Sequence, residues 1–438
     1  MSVKGFEYKP IGMRELLERS AHLNFRQRAE ALARYLDAAH SARQETYLRE
    51  VVSPMDREVV VRDPFTKEMR HMLMFASNNY VGAANHPRVL EKIRGGISEY
   101  GVGLGGPPLL NGYSRLMREL EDRLSAQTGK EATMIFSSGY LANLALASAL
   151  PFSRDRFYYD ELHHASFHDG THLGRGHFEA FPHNDTNALE TLLRQEAELP
   201  NASTFVTVEG VYSMDGDLCP LPEITRLCKE HDALLVLDDA HGTGVIGENG
   251  AGTAEHFGVE DEVDIIMGTF SKAIAMTGAF ISASEEIIKL LRFFARPYIF
   301  SAALPPVALL AVHGALDVIE NEPERRQRLR KNVRYLISLL EGFELAAPPG
   351  AAIVSVMVPE WMNIRYANYM FHQQGIFLGA IEYPAVPENK QRFRVSVMVN
   401  HTRKDLERVA AAFKTCLLYT SDAADDLLLV LVWGGGGW

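Results

Sequence analysis

TFVTV at Thr204–Val208, PEITRLCKEH at Pro222–His231 and LLVL at Leu234–Leu237 read in turn as strand, helix and strand. The pattern continues outward on both sides. Thr133–Phe136 and Ile265–Met267 are further short β-branched or apolar runs, while Met117–Thr128 and Leu189–Glu198 are helical. Such alternation implies an α/β domain with a parallel or mostly parallel sheet flanked by helices. Toward the N-terminus, Glu58–Arg62 and Met72–Ala76 surround an Asp63-Pro64 turn signal and predict a hairpin. Before it, Phe25, Ala29, Leu32 and Leu36 recur at helical spacing in a solvated arm. After Leu304-Pro305-Pro306, helices over Ala308–Glu320 and Glu324–Gly342, strands over Ile353–Val358 and Phe393–Val399, and a helix from Lys404 to Lys414 predict a smaller α+β domain. The expected organisation is a helical arm over 1–60, a large domain over 61–306, a C-terminal domain over 307–415, and a non-native or disordered tail over 416–438. In that tail the composition turns abruptly from TSDAADD to LLLVLVW and GGGGW.

With 438 residues, 47% of them hydrophobic and 23% charged, the chain can bury a large core. A net charge of −12 argues against non-specific nucleic-acid binding, which needs a basic face, and points to small-molecule work. Cys219, Cys228 and Cys416 are too few and too irregular for a disulfide framework or zinc knot. That fits a reducing, cytoplasmic setting with no metal. No apolar stretch reaches the roughly 18 residues that span a bilayer.

Strand-end segments carry the chemistry. Val208–Gly216 (VEGVYSMDG), Leu237–Gly242 (LDDAHG) and Gly268–Lys272 (GTFSK) would converge on one crevice, because open α/β sheets bind ligands at the carboxyl ends of their strands. The residue types suit pyridoxal 5′-phosphate. Asp238, ending an apolar strand, is the anion that a protonated pyridine nitrogen needs. His241 is placed to reach the phenolic oxygen. Lys272 is the amine that forms the Schiff base, with Thr269 and Ser271 offering hydroxyls to the phosphate. Ser137-Ser138-Gly139-Tyr140 follows a strand and precedes the helix-prone LANLALASAL, so backbone N–H groups at a helix N-terminus would cradle that dianion. After the short strand Phe157–Tyr159, one imidazole of His163-His164 would stack on the ring. The glycine cluster Gly101–Gly106 lacks a dinucleotide fingerprint and runs into Pro107-Pro108.

From Arg49 to Lys414 the chain resembles the α-oxoamine synthases, fold-type I pyridoxal phosphate enzymes of the class II aminotransferase group. The matching segments are Ser77–Gly82 (SNNYVG), Asn111-Gly112, Ser137–Asn143 (SSGYLAN), His164-Ala165-Ser166, Glu209–Asp217 (EGVYSMDGD), Asp238–His241 (DDAH) and Thr269–Lys272 (TFSK). The resemblance implies a seven-stranded-type, mostly parallel sheet in the large domain and a homodimer with its site at the subunit interface. It also implies a decarboxylative condensation of serine, glycine or alanine with an acyl thioester, delivered on coenzyme A or an acyl carrier protein. Lys272, His164, Asp238 and His241 are then catalytic. Ser138, Gly139, Tyr140, Glu209, Ser213, Thr269, Ser271 and Ser301 join them around the cofactor, and Asn78, His164 and Arg394 contact substrate. Met267–Lys272, Arg296–Pro306 and Asn321–Arg325 are most similar to bacterial serine palmitoyltransferases, whereas DDAHGTG at Asp238–Gly244 is closer to the 8-amino-7-oxononanoate synthases. The chain departs from the family pattern at Gly106-Pro107-Pro108, at Glu382-Tyr383, and at Ala302-Ala303 after Ser301.

Overall fold

A computed structural model describes residues 13–44, 46–195 and 202–418. The described residues form two compact units. One holds the chain up to Ser77, Asn332–Ala347 and the residues from Ile353 onward; the other holds Asn78–Lys331 with Pro348–Ala352.

The larger unit is built on a seven-stranded sheet. In chain order its strands are β1 (Ala132–Phe136), β2 (Arg156–Asp160), β3 (His177–Phe181), β4 (Thr204–Glu209), β5 (Ala233–Asp238), β6 (Ile265–Thr269) and β7 (Ala279–Ala283). Across the sheet they lie in the order β1-β7-β6-β5-β4-β2-β3. β7 runs antiparallel to both of its neighbours, and the pairs from β6 through β3 are parallel. The mostly parallel sheet is therefore as expected. β7 and β3 are additions that the sequence did not announce, since AFISA and HFEAF are short and closely flanked by other elements.

Helices cover the sheet because its central strands are buried on both faces, as parallel strands are. Every residue of β6 and β7 is buried. On one face Phe136, Phe157, Phe205, Val236 and Met267 share a core with Ala142, Ala145 and Leu146 of the Gly139–Ala149 helix. Phe157 stacks between Phe178 and Phe205, with centroids 5.6 and 5.1 Å away. Each such ring contributes roughly 2–3 kcal/mol by burial.

The smaller unit contains a four-stranded and a three-stranded sheet. The predicted hairpin is present as Glu58–Arg62 paired antiparallel with Met69–Met74. Its second strand also pairs in parallel with Ile376–Phe377. That pairing explains why the division falls after Ser77 and not at residue 60, because the hairpin packs as part of the C-terminal unit; the Pro306–Asn321 helix packs on the Pro87–Tyr100 helix of the larger unit, so the second division falls after Lys331 and not at residue 306. The expected tail is also corrected at its start. Cys416 and Leu417 are buried, and Gln374 Nε2 lies 3.1 Å from Cys416 Sγ. Residues 419–438 lie outside the described residues. Among the described residues no helix is long and apolar enough to cross a membrane.

In the larger unit a charged clamp fixes three connections below the sheet's carboxyl edge. Asp160 at the end of β2 is fully buried and accepts from the backbone N–H groups of Leu162 (2.8 Å) and Asn184 (2.9 Å). The His183 ring spans the two carboxylates, with Nδ1 at 3.1 Å from Asp160 and Nε2 at 3.0 Å from Asp217. Hydrogen bonds and charge from these carboxylates outweigh partial burial and raise the His183 pKa to about 10. A raised folded pKa means stabilisation that is complete below the unfolded value near 6.5 and is lost as pH rises toward 10. The His183→Ala protein is therefore expected to be less stable by about 2 kcal/mol at neutral pH. Its denaturation midpoint should fall less than the wild type's between about pH 7 and 10. Denaturant titrations at both pH values check this; parallel slopes would contradict it.

Candidate active site

The carboxyl ends of β1, β6, β5 and β4 lie side by side. Their register is set by paired residues: Phe136 and Thr269 both oppose Ala279, Met267 opposes Asp238, and Asp238 opposes Glu209. Residues far apart in the chain therefore emerge on one edge.

At the end of β5, Asp238 is buried, with 4% of its surface exposed. Two donors fix its carboxylate. Asn143 Nδ2 donates to Oδ2 at 2.8 Å, and the Ala240 N–H donates to Oδ1 at 3.1 Å. Asn143 also donates to Ser166 Oγ at 3.0 Å. The sequence reading placed Asn143 in a motif without assigning it a task. Its signal was a single amide on the largely apolar helix LANLALASA. His241, three residues past Asp238, is buried, and its Nδ1 lies 2.9 Å from Tyr80 Oη. Tyr80 in turn donates to Asn78 Oδ1 at 3.0 Å, linking two expected site residues through one that was overlooked.

β1 leads directly into a helix start. Ser138 caps the Gly139–Ala149 helix, its side chain accepting from the Leu141 N–H at 3.3 Å. Opposite stands Thr269, whose Oγ1 donates to Gly278 O at 3.0 Å and lies 3.0 Å from Ser271 Oγ. Thr277 Oγ1 donates to Ser137 O at 3.1 Å, tying the lysine loop to the helix start. A Cβ placed on Gly139 would come within 3.2 Å of Thr269 Oγ1, and Thr269 is held in place by its own bonds. Gly139→Ala is therefore expected to weaken binding of a phosphate-bearing ligand about tenfold, because the cradle must spread. Its melting temperature should stay close to the wild type's. Fluorescence titration of the apoprotein with pyridoxal phosphate measures this, and unchanged affinity would remove Gly139 from the cradle.

Lys272 follows β6 and is half-buried. Its charge acts on His164, Glu209 and Asp239. His164 caps the Ala165–Thr171 helix, and its Nδ1 lies 2.7 Å from Ser166 Oγ. Desolvation holds its pKa below the usual range against the pull of Asp238. The neighbouring His163 is buried, stacks on Phe167 at 4.5 Å and reaches Thr207 Oγ1 at 3.0 Å. Burial lowers it to about 4. Of the two imidazoles left open by the sequence, His163 thus belongs to the floor, whereas His164 is exposed.

The remaining expected residues fall in several places. Glu209 ends β4 and is buried beside Asp238. Ser213 is half-buried on the loop after β4, and Ser301 is half-buried before the Pro306–Asn321 helix. Tyr140 is 44% exposed and its hydroxyl donates to Asp169. Arg394 lies in the other unit, on the strand Arg392–Ser396, opposite Ser355 and Gly379.

The fit to pyridoxal phosphate rests on donor chemistry at this edge. A buried carboxylate, a lysine and a helix N-terminus whose glycine keeps the cradle open are the groups the cofactor's nitrogen, aldehyde carbon and phosphate require. The model of the aminotransferase class I and II family matches residues 70–413. The chain belongs to that family. Among relatives of this family member, the 8-amino-7-oxononanoate synthase of Lysinibacillus sphaericus is 39% identical over 346 residues, covering 79% of this chain and 88% of that protein. The serine palmitoyltransferase of Sphingobacterium spiritivorum is 36% identical over 407 residues, covering 91% and 97%. Among solved structures, the Sphingomonas wittichii serine palmitoyltransferase superposes with a TM-score of 0.81 at 30% identity, covering 88% of this chain and 96% of that one. A structure of SPT with PLP matches with a TM-score of 0.81 at 29% identity, covering 92% and 98%.

Proposed function

We propose that this protein is a pyridoxal phosphate-dependent α-oxoamine synthase, resembling serine palmitoyltransferase, that joins a small amino acid to an acyl thioester. The observation that carries the reading is the strand register that sets Asp238, Lys272 and the Ser138-Gly139 helix start on one edge. Serine is the favoured amino acid, because the serine palmitoyltransferase relative spans nearly the whole chain. The 8-amino-7-oxononanoate synthase relatives, together with DDAHGTG at Asp238–Gly244, supply the second reading.

Bound here, the cofactor supplies an electron sink for a carbanion at the amino acid's α-carbon. The chain's own residues do the rest. Asp238, oriented by Asn143 and the Ala240 N–H, holds the proton on the ring nitrogen. His241, positioned by Tyr80, holds the phenolic oxygen. Lys272 Nζ would hold the cofactor's aldehyde carbon and serve as the base that accepts the α-proton. His164 would lie against the cofactor and Asn78 would contact the substrate, and the resemblance to the family gives Arg394 the task of holding the substrate carboxylate. Overall, the α C–H bond breaks, a C–C bond forms to the acyl carbonyl as the thiol leaves, and the carboxylate departs as carbon dioxide. Return of a proton to the α-carbon gives a 2-amino ketone.

The same reading makes the protein a cytoplasmic homodimer. Buried Cys219 and Cys228 thiols support a reducing compartment. Exposed Leu110, Phe293, Phe294 and Phe300 in the larger unit support a subunit contact. The test is product analysis with serine, glycine and alanine against acyl-coenzyme A and acyl carrier protein thioesters of graded length. Equal amounts of thiol and carbon dioxide are expected, with serine and a long acyl chain preferred. A keto acid without thiol release would show transamination and overturn the reading.

A further inference from the structure

Glu209 and His163 are buried titratable groups at the site to which the chemistry above gives no task. Each has 3% of its surface exposed. Glu209 Oε1 and His163 Nδ1 are 3.9 Å apart, and neither atom has a hydrogen-bond partner. One ligand atom from each of Glu209, His163 and Asp238 falls within 4.8 Å of the others. Two carboxylates so close and so buried disfavour each other's ionisation, and the single Lys272 charge nearby is shared between them. The donors decide which one stays charged. Asp238 accepts from Asn143 and from the Ala240 N–H, two bonds that favour an anion. Glu209 accepts from the backbone N–H of His164, while its Oε1 accepts nothing.

We propose that Glu209 is a positioning residue that keeps its proton beneath the site, so that Asp238 alone carries the negative charge facing the cofactor's ring nitrogen. This rests on the function proposed above. The groups acting on Glu209 are Asp238 from β5, Asp160 from β2, Lys272 after β6 and the His164 N–H. Burial and the Asp238 charge raise the Glu209 pKa well above the carboxylic range, and Lys272 opposes them. His163 is held neutral by burial, so it offers no cation to ionise Glu209. A neutral acid there adds shape and polarity to the floor without adding charge. A second anion would raise the ring nitrogen's proton affinity further and trap the cofactor in one state.

The test uses the cofactor-loaded protein and its Glu209→Gln variant, which replaces an acid by a neutral group of equal shape. At about pH 8.5, buried acids held near 7, such as Asp239 and Glu121, have ionised. Infrared spectra should then show a protonated carboxylic acid band that shifts in D₂O and is missing from Glu209→Gln. The absorbance-versus-pH midpoint of the bound cofactor should stay within about 0.3 unit in the variant. Absence of the band from the wild type, or a midpoint shift of about one unit or more, would overturn the proposal. Should Glu209→Gln fail to fold, carbonyl NMR of wild-type protein labelled at glutamate reads the same proton. A glutamate resonance at the protonated-acid position that is unchanged between about pH 6 and 9 supports the proposal; its titration in that range, or every glutamate resonance at the carboxylate position, overturns it. Failure of the wider functional reading looks different: no cofactor absorbance in any variant.

Discussion

Lys272→Ala protein is expected to lose its covalent link to pyridoxal phosphate, with the accompanying visible absorbance, and to fall in turnover by at least about 10⁴-fold. The size of the effect follows from two tasks resting on one atom. In the proposed reaction Lys272 Nζ would hold the aldehyde carbon and would also accept the α-proton. No nearby group replaces it. His164 has its Nδ1 engaged with Ser166, and partial desolvation of its ring keeps its pKa low. Affinity for pyridoxal phosphate should fall less than turnover, because the Ser138-Gly139 helix start and Thr269 would still meet the phosphate. Absorbance spectra and a thiol-release assay on one preparation measure both; a variant retaining the band and the turnover would displace Lys272 from its role.

Asp238→Asn is expected to lower turnover by roughly 10³-fold while leaving the cofactor bound. The amide keeps the shape of the carboxylate but removes the anion that, in the proposed function, would hold a proton on the ring nitrogen. It also sets a donor amide against the Asn143 amide, which now donates to Asp238 at 2.8 Å. Exchange of the amino acid's α-hydrogen in D₂O isolates the step. That exchange should slow in proportion to turnover, and a near-normal rate would rule out charge at residue 238 as the driver.

Much of this was legible in the sequence because the site hangs on strand ends, where short apolar runs stop at a polar residue. Asp238 after ALLVL, and Lys272 three residues past Thr269, needed no tertiary information. Residues recruited by packing were harder to see. Asn143 reads as a helix residue until the helix docks on the sheet and carries its amide to Asp238. Tyr80 lies 161 positions from His241, and only folding makes them neighbours. The two histidines after β2 are adjacent in sequence, yet one is buried on Phe167 and the other caps a helix, a difference set by the chain's turn. The unit boundary was misread for a similar reason. Pairing of Met69–Met74 with Ile376–Phe377 joins segments about 300 residues apart, and local periodicity carries no trace of it.

The most direct measurement is borohydride reduction of the protein loaded with pyridoxal phosphate, followed by proteolysis and mass spectrometry. A phosphopyridoxyl group fixed to the peptide containing Lys272, and lost on prior exchange with serine, is expected. Its appearance on another lysine, or on none, would contradict the assignment from which the rest follows.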